Sequence, residues 1–182
     1  MRVISGKYKS RLLLGDNLKK TRPTMDRVKM SLFSMINNYI DEAVILDLFA
    51  GSGSLSIEAL SNNSKYAYLV DNNKDACNII NKNMNNLEIA NYKLLNSDYK
   101  NALKYFYDNN IKFNIIFLDP PYDSNYIKES IILIDKYNLL EDNGIIVLES
   151  DNNNKLIYDI NKYKIYKERK YSEKIISILK KI

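Results

Sequence analysis

The sequence predicts an α/β fold: a doubly wound, mostly parallel sheet that ends in an antiparallel C-terminal hairpin. Three observations predict it. Short apolar runs alternate with helical patterns through residues 43–149, as expected of β-α repetition. Several of those runs close on an Asp or on a Gly-rich or Pro-rich turn. The last two strand-like runs are separated only by Ser172-Glu173-Lys174, which is too short for a crossover helix, so they pair antiparallel.

Taken in order, Arg2-Val3-Ile4-Ser5 and Ser10-Arg11-Leu12-Leu13-Leu14 flank Gly6-Lys7-Tyr8-Lys9, which predicts a small N-terminal β-hairpin. A helix follows, with Thr24 or Asp26 as its cap and Val28, Met30, Leu32, Phe33, Met35 and Ile36 as its apolar positions. Residues 43–48 read as a strand, then a helix runs through Leu55, Ile57, Ala59 and Leu60. Residues 66–70 form the next strand, and a helix spans about 74–87. Residues 92–95 are a short strand, followed by a helix through Ala102, Leu103, Tyr105 and Phe106. Residues 113–118 are the fourth strand of the repeat. A helix through Ile127, Ile131, Ile132 and Ile134 leads to a strand over 144–149. Residues 164–171 and 175–179 are the closing hairpin. There is no internal repeat, and the short Asn patches read as turns or helix ends.

A chain of 182 residues suits a single domain, 1–182. Within it, residues 1–40 make a hairpin and helix extension and 41–182 a catalytic core. No apolar run approaches the roughly 20 residues that span a membrane, and the N-terminus lacks the apolar stretch of a signal peptide. Cys77 is the only cysteine, so no internal disulfide forms; in its helical pattern it is expected to be a small buried residue. A reducing, cytoplasmic setting follows. Histidine is absent, which removes Ser-His and Cys-His nucleophilic mechanisms and imidazole-based zinc sites.

The charge is unevenly placed. Residues 1–29 carry nine Lys/Arg against two Asp, residues 30–161 ten against eighteen carboxylates, and residues 162–182 eight against two Glu. The Lys-rich and Asn-rich bias runs through the acidic middle as well, so bias alone does not explain basic ends. Termini that contact a polyanion do.

The first strand of the repeat enters Asp47-Leu48-Phe49-Ala50-Gly51-Ser52-Gly53-Ser54. Gly51 and Gly53 at a strand-to-helix turn let the backbone approach a ligand closely. Ser56 stands where a dinucleotide fingerprint wants its third small residue, which weakens a nicotinamide reading. Asp47 would repel a pyrophosphate and attract a cation, such as an amino-acid ammonium beside a sulfonium. Asp71, with Asn72 after it, ends the second strand twenty residues beyond Gly51, the spacing of a carboxylate that binds ribose hydroxyls. Asp98, after the third strand, either accepts from an adenine amino group or caps the next helix. With Phe49 in the turn, these residues form a cofactor site that points to S-adenosylmethionine.

Asp119-Pro120-Pro121-Tyr122 closes the apolar run 113–118. Prolines lack an N–H and fix φ, so the chain turns stiffly there. The corner offers a carboxylate, bare carbonyls and an aromatic face, a combination suited to holding a planar base by its exocyclic amino group. A stiff loop without chemistry is the plainer reading. Ligands in open α/β sheets bind beyond the carboxyl ends of the strands; Gly51, Asp71, Asp98 and Asp119 all fall at such ends, which favours the site.

Residues 47–53 and 119–122 resemble motifs I and IV of amino-group methyltransferases. The block Arg2-Val3-Ile4-Ser5-Gly6-Lys7-Tyr8-Lys9-Ser10-Arg11-Leu12, then Thr21-Arg22-Pro23-Thr24-Met25-Asp26-Arg27-Val28-Lys29 and Leu32-Phe33, narrows this. It resembles the RsmD family of bacterial 16S ribosomal RNA guanine-N2 methyltransferases, and the resemblance covers essentially the whole chain. Tyr122 stands where the family often has Phe, which keeps the aromatic face. The resemblance implies a Rossmann-like class I methyltransferase with S-adenosylmethionine as donor, S-adenosylhomocysteine as product and no metal. It implies Asp119, Pro120, Pro121 and Tyr122 at the reacting amino group, and Lys7, Arg11, Arg22, Thr24 and Arg27 against RNA. The implied substrate is one guanine near the small-subunit P site, methylated on the assembled particle by a monomer. The corner alone does not choose guanine over adenine. A DNA adenine-N6 methyltransferase shares it but usually carries a target-recognition domain, for which this chain has no room. A silent RNA-binding or assembly factor would not need Asp119, Gly51 and Asp71 intact.

Overall fold

The structure is a computed structural model that describes residues 1–15, 22–121, 124–151, 162–171 and 174–182. Helix α1 (Arg22–Ile36) runs into a 3-10 turn, Asn37–Tyr39. The repeat then gives β1 (Val44–Asp47), α2 (Ser54–Ser61), β2 (Tyr66–Asp71), α3 (Lys74–Asn86), β3 (Tyr92–Asn96), α4 (Tyr99–Asp108), β4 (Phe113–Leu118), α5 (Ser124–Lys136) and β5 (Leu140–Asp151). Strands β6 (Tyr163–Lys170) and β7 (Lys174–Lys181) follow.

Seven strands form one sheet in the order β3-β2-β1-β4-β5-β7-β6. The first five pair in parallel. Strand β7 pairs antiparallel with β5, and β6 with β7 at the outer edge. This is the expected doubly wound sheet with its C-terminal hairpin, and the strand order reverses between β1 and β4. The apolar runs explain the central position of β1 and β4. Ile45, Leu46, Phe113 and the stretch from Ile115 to Leu118 are almost fully buried, which requires cover on both faces. One core holds Leu32, Phe33, Ile36, Ile57 and Ile80 from α1, α2 and α3. The other holds Leu103, Phe106, Ile127 and Ile131 from α4 and α5. Among the described residues no helix is long and apolar enough to cross a membrane.

Several expectations are corrected. The expected N-terminal hairpin forms but is a short arm: Arg2 and Leu12 make an antiparallel bridge, with the Val3 N–H on the Arg11 carbonyl and the Leu13 N–H on the Met1 carbonyl, each at 3.0 Å, while Glu58 and Ser61 of α2 take the N–H groups of Ile4, Ser5 and Tyr8. Helix α1 begins at Arg22, so Thr24 and Asp26 lie inside it and neither is its cap; Pro23 in the first turn costs nothing because that N–H has no helical acceptor. Met30 and Ile132, expected on apolar helix faces, are 55% and 50% exposed. Strand β5 extends beyond 144–149 in both directions, to Leu140, which pairs with Phe113 of β4, and to Asp151, which pairs with Lys174 of β7. Cys77 is buried as expected. The turn residues Ser172-Glu173 and the Asn152–Asn154 patch lie outside the described residues.

The arm is held by a buried network. Glu58 is fully buried, and its carboxylate accepts from the N–H groups of Ile4 (2.8 Å) and Ser5 (2.8 Å). Lys29 of α1, 4% exposed, pairs with Glu58 at 3.1 Å and donates to the Arg2 carbonyl at 2.7 Å. Asn83 of α3 takes the Leu14 N–H at 2.8 Å and donates to the carbonyls of Leu14 and Ser52. Gly6 has φ +76, and a Cβ there would lie 1.8 Å from the Ser61 carbonyl oxygen.

Candidate active site

Because β1, β2, β3 and β4 are parallel, their carboxyl ends share one edge of the sheet. Asp47 ends β1, Asp71 ends β2, Asp98 lies two residues past β3, and Asp119 follows β4 directly. Sequence spacing therefore brings the expected carboxylates to one edge, and at the β1/β4 reversal the ends of neighbouring strands leave a crevice.

The glycine turn connects β1 to α2. Gly51 has φ +55 and Gly53 has φ +77, a conformation that L side chains adopt only with strain. A Cβ on Gly51 would meet nothing within 4 Å, so the space above this turn is open to a ligand. Gly53 sits at the N-terminus of α2. Asp71 braces the turn from the next strand: one oxygen accepts from the Gly51 N–H at 2.8 Å, the other from the Asn73 N–H at 2.8 Å. Each oxygen keeps a second lone pair for a ligand hydroxyl. Asn72 is exposed immediately beyond Asp71.

Asp47 is 2% exposed and accepts from the Ser56 hydroxyl at 3.0 Å. Ser56, the residue that broke the dinucleotide pattern, is thus the partner of this carboxylate. Burial pushes Asp47 up to about 7, the Ser56 bond opposes that, and repulsion from Asp119 and then Asp71 adds to it. A cation at this edge would relieve both burial and repulsion, so the donor set fits the ammonium and sulfonium of S-adenosylmethionine. Asp98 is exposed and caps α4 by accepting from the Lys100 N–H at 2.8 Å. That bond occupies one oxygen and makes helix capping a firm role for this residue.

Asp119 and Pro120 are half-buried and Pro121 is exposed; Tyr122 lies outside the described residues. Asp119 lines a small cleft with Leu32, Phe117, Val147, Glu149 and Ile176. Glu149 at its wall pairs with Lys174 of β7. The cleft is therefore bounded by α1, by the two strands β4 and β5, and by the C-terminal hairpin.

Two sets of contacts escaped the sequence reading. Phe49 of the glycine turn lies 5.6 Å from the Tyr99 ring and 6.1 Å from the Tyr126 ring, and the two tyrosines are 5.5 Å apart. This aromatic trio joins the turn to the first residues of α4 and α5. Tyr99 donates to Glu129, which also pairs with Lys100 at 2.7 Å. The only sequence sign was that Tyr99 and Tyr126 open helices that follow strand ends. The second set is the Lys29–Glu58 network, whose partners are far apart in the chain.

The expected RNA-facing residues separate. Lys7 is exposed, its ammonium 5.2 Å from the Tyr8 ring. Arg27 is exposed on α1. Arg11 is exposed but donates to the Asn86 carbonyl at 3.0 Å, closing the end of α3. Arg22 and Thr24 fall in α1, with their side chains outside the described residues.

A sequence profile of the family described as Conserved hypothetical protein 95 matches residues 1–180. The chain belongs to this family, the RsmD family. It is similar to a Bacillus subtilis protein described provisionally as an rRNA methyltransferase, YlbH, with 43% identity over 83% of each chain. It is 34% identical to the ribosomal RNA small subunit methyltransferase D of Escherichia coli K12, over 86% of this chain and 77% of that one. Among solved structures it is similar to an E. coli protein described provisionally as a methyltransferase, yhhF. The TM-score is 0.88 at 28% identity, covering 100% of this chain and 97% of that one. A provisional methyltransferase solved with SAH, SMU.776, shares the fold at TM-score 0.67 and 19% identity, over 86% of this chain and 49% of that one. The fold is that of Rossmann-like, S-adenosylmethionine-dependent methyltransferases.

Proposed function

We propose that this RsmD-family chain transfers a methyl group from S-adenosylmethionine to the exocyclic N2 of a guanine in bacterial 16S ribosomal RNA, on the small subunit. The observation that carries this reading is the joining of two half-sites at one sheet edge. An open glycine turn braced by Asp71 lies beside a buried Asp47, and the Asp119-Pro120-Pro121 corner lies on the neighbouring strand. The ribosomal RNA substrate is supported by the names of the relatives and by the basic arm.

In this reading Gly51 and Gly53 admit the donor, Asp71 takes ribose hydroxyls, and Asp47 balances the donor's positive charge. Phe49, Asn72 and Asp98 complete that side. S-adenosylmethionine, when bound, supplies an electrophilic methyl group. The guanine N2 lone pair is delocalised into the ring and is a poor nucleophile. Asp119 and the Pro120 carbonyl accept the two amino hydrogens, which leaves electron density on nitrogen, and Asp119 is the acceptor for the departing proton. Tyr122 stacks on the extruded base, a contact worth about 1–3 kcal/mol where aromatic side chains stack on single-stranded bases. Much of the rate then comes from alignment. Lys7, Arg11, Arg22, Thr24 and Arg27 contact the RNA from the arm and α1, and the chain works as a cytoplasmic monomer.

The test is labelled methyl transfer to undermethylated small subunits, naked 16S RNA and DNA, followed by nucleoside analysis. N2-methylguanosine from RNA is the expected product. N6-methyladenine from DNA would replace this reading with that of a DNA adenine methyltransferase.

A further inference from the structure

Resting on the ribosomal RNA reading, we infer that the C-terminal hairpin supplies a second RNA-binding surface. It is a basic strip along one face of the edge strand β6 that α1 joins to the N-terminal arm. The register of the hairpin defines the strip. Lys167 pairs opposite Ile178 and Arg169 opposite Ile176. Ile176 and Ile178 belong to the core beneath α1, so Lys167 and Arg169 share that face. Their contacts agree: Lys167 donates to the Met35 carbonyl at 3.2 Å, and Arg169 donates to the Ser31 hydroxyl at 2.7 Å.

Farther along the same flank, Lys164 pairs opposite Lys180. The Lys180 ammonium lies 4.2 Å from the Tyr166 ring and 4.9 Å from the Tyr39 ring. All of β6 after Tyr163 is exposed. From Lys164 to Lys170 the strand extends roughly 20 Å at about 3.3 Å per residue, enough for several phosphates. Arg27 lies one turn before Ser31 on α1 and continues the strip toward the carboxyl edge. The carboxylate of this strand, Glu168, turns to the other face and accepts from the Ser177 hydroxyl. Among the described residues no ion pair is formed by Lys164, Lys167 or Arg169.

On its other flank α1 holds the arm, through the Arg2–Asp26 pair at 3.6 Å and the Lys29 bond to the Arg2 carbonyl. The two basic ends of the sequence thus meet on one side of the sheet, with α1 between them. Lysines on an edge strand also guard it against pairing with another sheet. That role does not account for Lys180 on the inner strand β7, or for tyrosines interleaved with cations. Cations spaced along a backbone track, with aromatic faces between them, are the chemistry of single-stranded nucleic-acid contact.

The test compares two doubly neutralised proteins of equal net charge. Lys164→Gln/Lys167→Gln removes two cations of the strip. Lys112→Gln/Lys136→Gln removes two exposed lysines whose neighbours Ile111 and Tyr137 pack on the opposite core. Binding of a 16S RNA transcript is measured from low to moderate salt, with S-adenosylmethionine affinity measured alongside. The strip variant is expected to lose about 0.7 in the slope of log affinity against log salt for each phosphate contact removed. Cofactor affinity and the slope of the second variant should match wild type. An unchanged slope in the strip variant, or equal loss in both variants, overturns the proposal. If wild type itself shows no salt-dependent RNA binding, the ribosomal RNA reading falls with it. If wild type methylates RNA while the strip variant keeps the wild-type slope, only the strip falls.

Discussion

At Asp47 a carboxyl sits in a dry environment near two other carboxylates, and burial pushes it from 3.8 up to about 7. Between those values the folded chain keeps a proton that the unfolded chain has lost. The contribution of this group to stability is therefore fully present below pH 3.8 and is lost as pH rises through 7. A cation bound beside Asp47 reverses that preference, because it favours the ionised form. S-adenosylmethionine affinity should accordingly rise with pH up to about 7 and level off above it. Titration calorimetry in buffers of different ionisation enthalpy should detect proton release near pH 6.5, on the order of half a proton or more. Asp47→Asn should abolish that release; undiminished release would assign it to another group. Nothing in the sequence around Asp47 announced the perturbation. Its cause is tertiary burial, to which repulsion from Asp119 and Asp71 adds and which the Ser56 hydroxyl, nine residues away, opposes.

At the scale of elements, the arm and α2 behave as one unit. The arm's backbone donors end on Glu58, and Lys29 closes the network from α1. Glu58→Gln would leave the Lys29 ammonium buried without its carboxylate, and breaking such a pair costs about 3–5 kcal/mol. A large fall in denaturation midpoint is expected, with part of it recovered in Glu58→Leu/Lys29→Met; no recovery in the double variant would show that the charges themselves do not interact. Gly6→Ala places a Cβ against the Ser61 carbonyl at a positive φ, and is expected to cost about 1–3 kcal/mol. It should weaken RNA binding more than cofactor binding, as measured by anisotropy and calorimetry on the same sample. Equal loss of both would mean that the cofactor turn depends on the arm as strongly as RNA does. Deleting the whole arm is a poorer probe, since it uncovers Glu58 and Lys29.

Over the whole molecule, the legible parts were those whose partners are local or whose burial is complete. Residues 113–118 read as a central strand because five of the six side chains are apolar, and β4 occupies that span, with Asn114 accepting from the Val44 N–H. The short Ser172-Glu173-Lys174 link forced an antiparallel hairpin, and β6 and β7 form it. Parallel strands then carried Asp47, Asp71 and Asp119 to one edge. Long-range pairs were not legible: Glu58 with the arm, Lys29 with Glu58, and the Phe49–Tyr99–Tyr126 trio all join segments distant in sequence. The start of α1 was misjudged because Thr24 and Asp26 look like caps, whereas the helix already includes them, and Pro23 is tolerated in its first turn. The central proposal is that the sheet edge separates two tasks, donor binding on β1 and β2 and chemistry on the β4 corner. The most direct test is single-turnover methyl transfer by Asp119→Ala, with cofactor affinity measured on the same preparation. Transfer should slow by about 10²–10⁴-fold while S-adenosylmethionine affinity stays close to wild type; transfer at the wild-type rate would contradict the account.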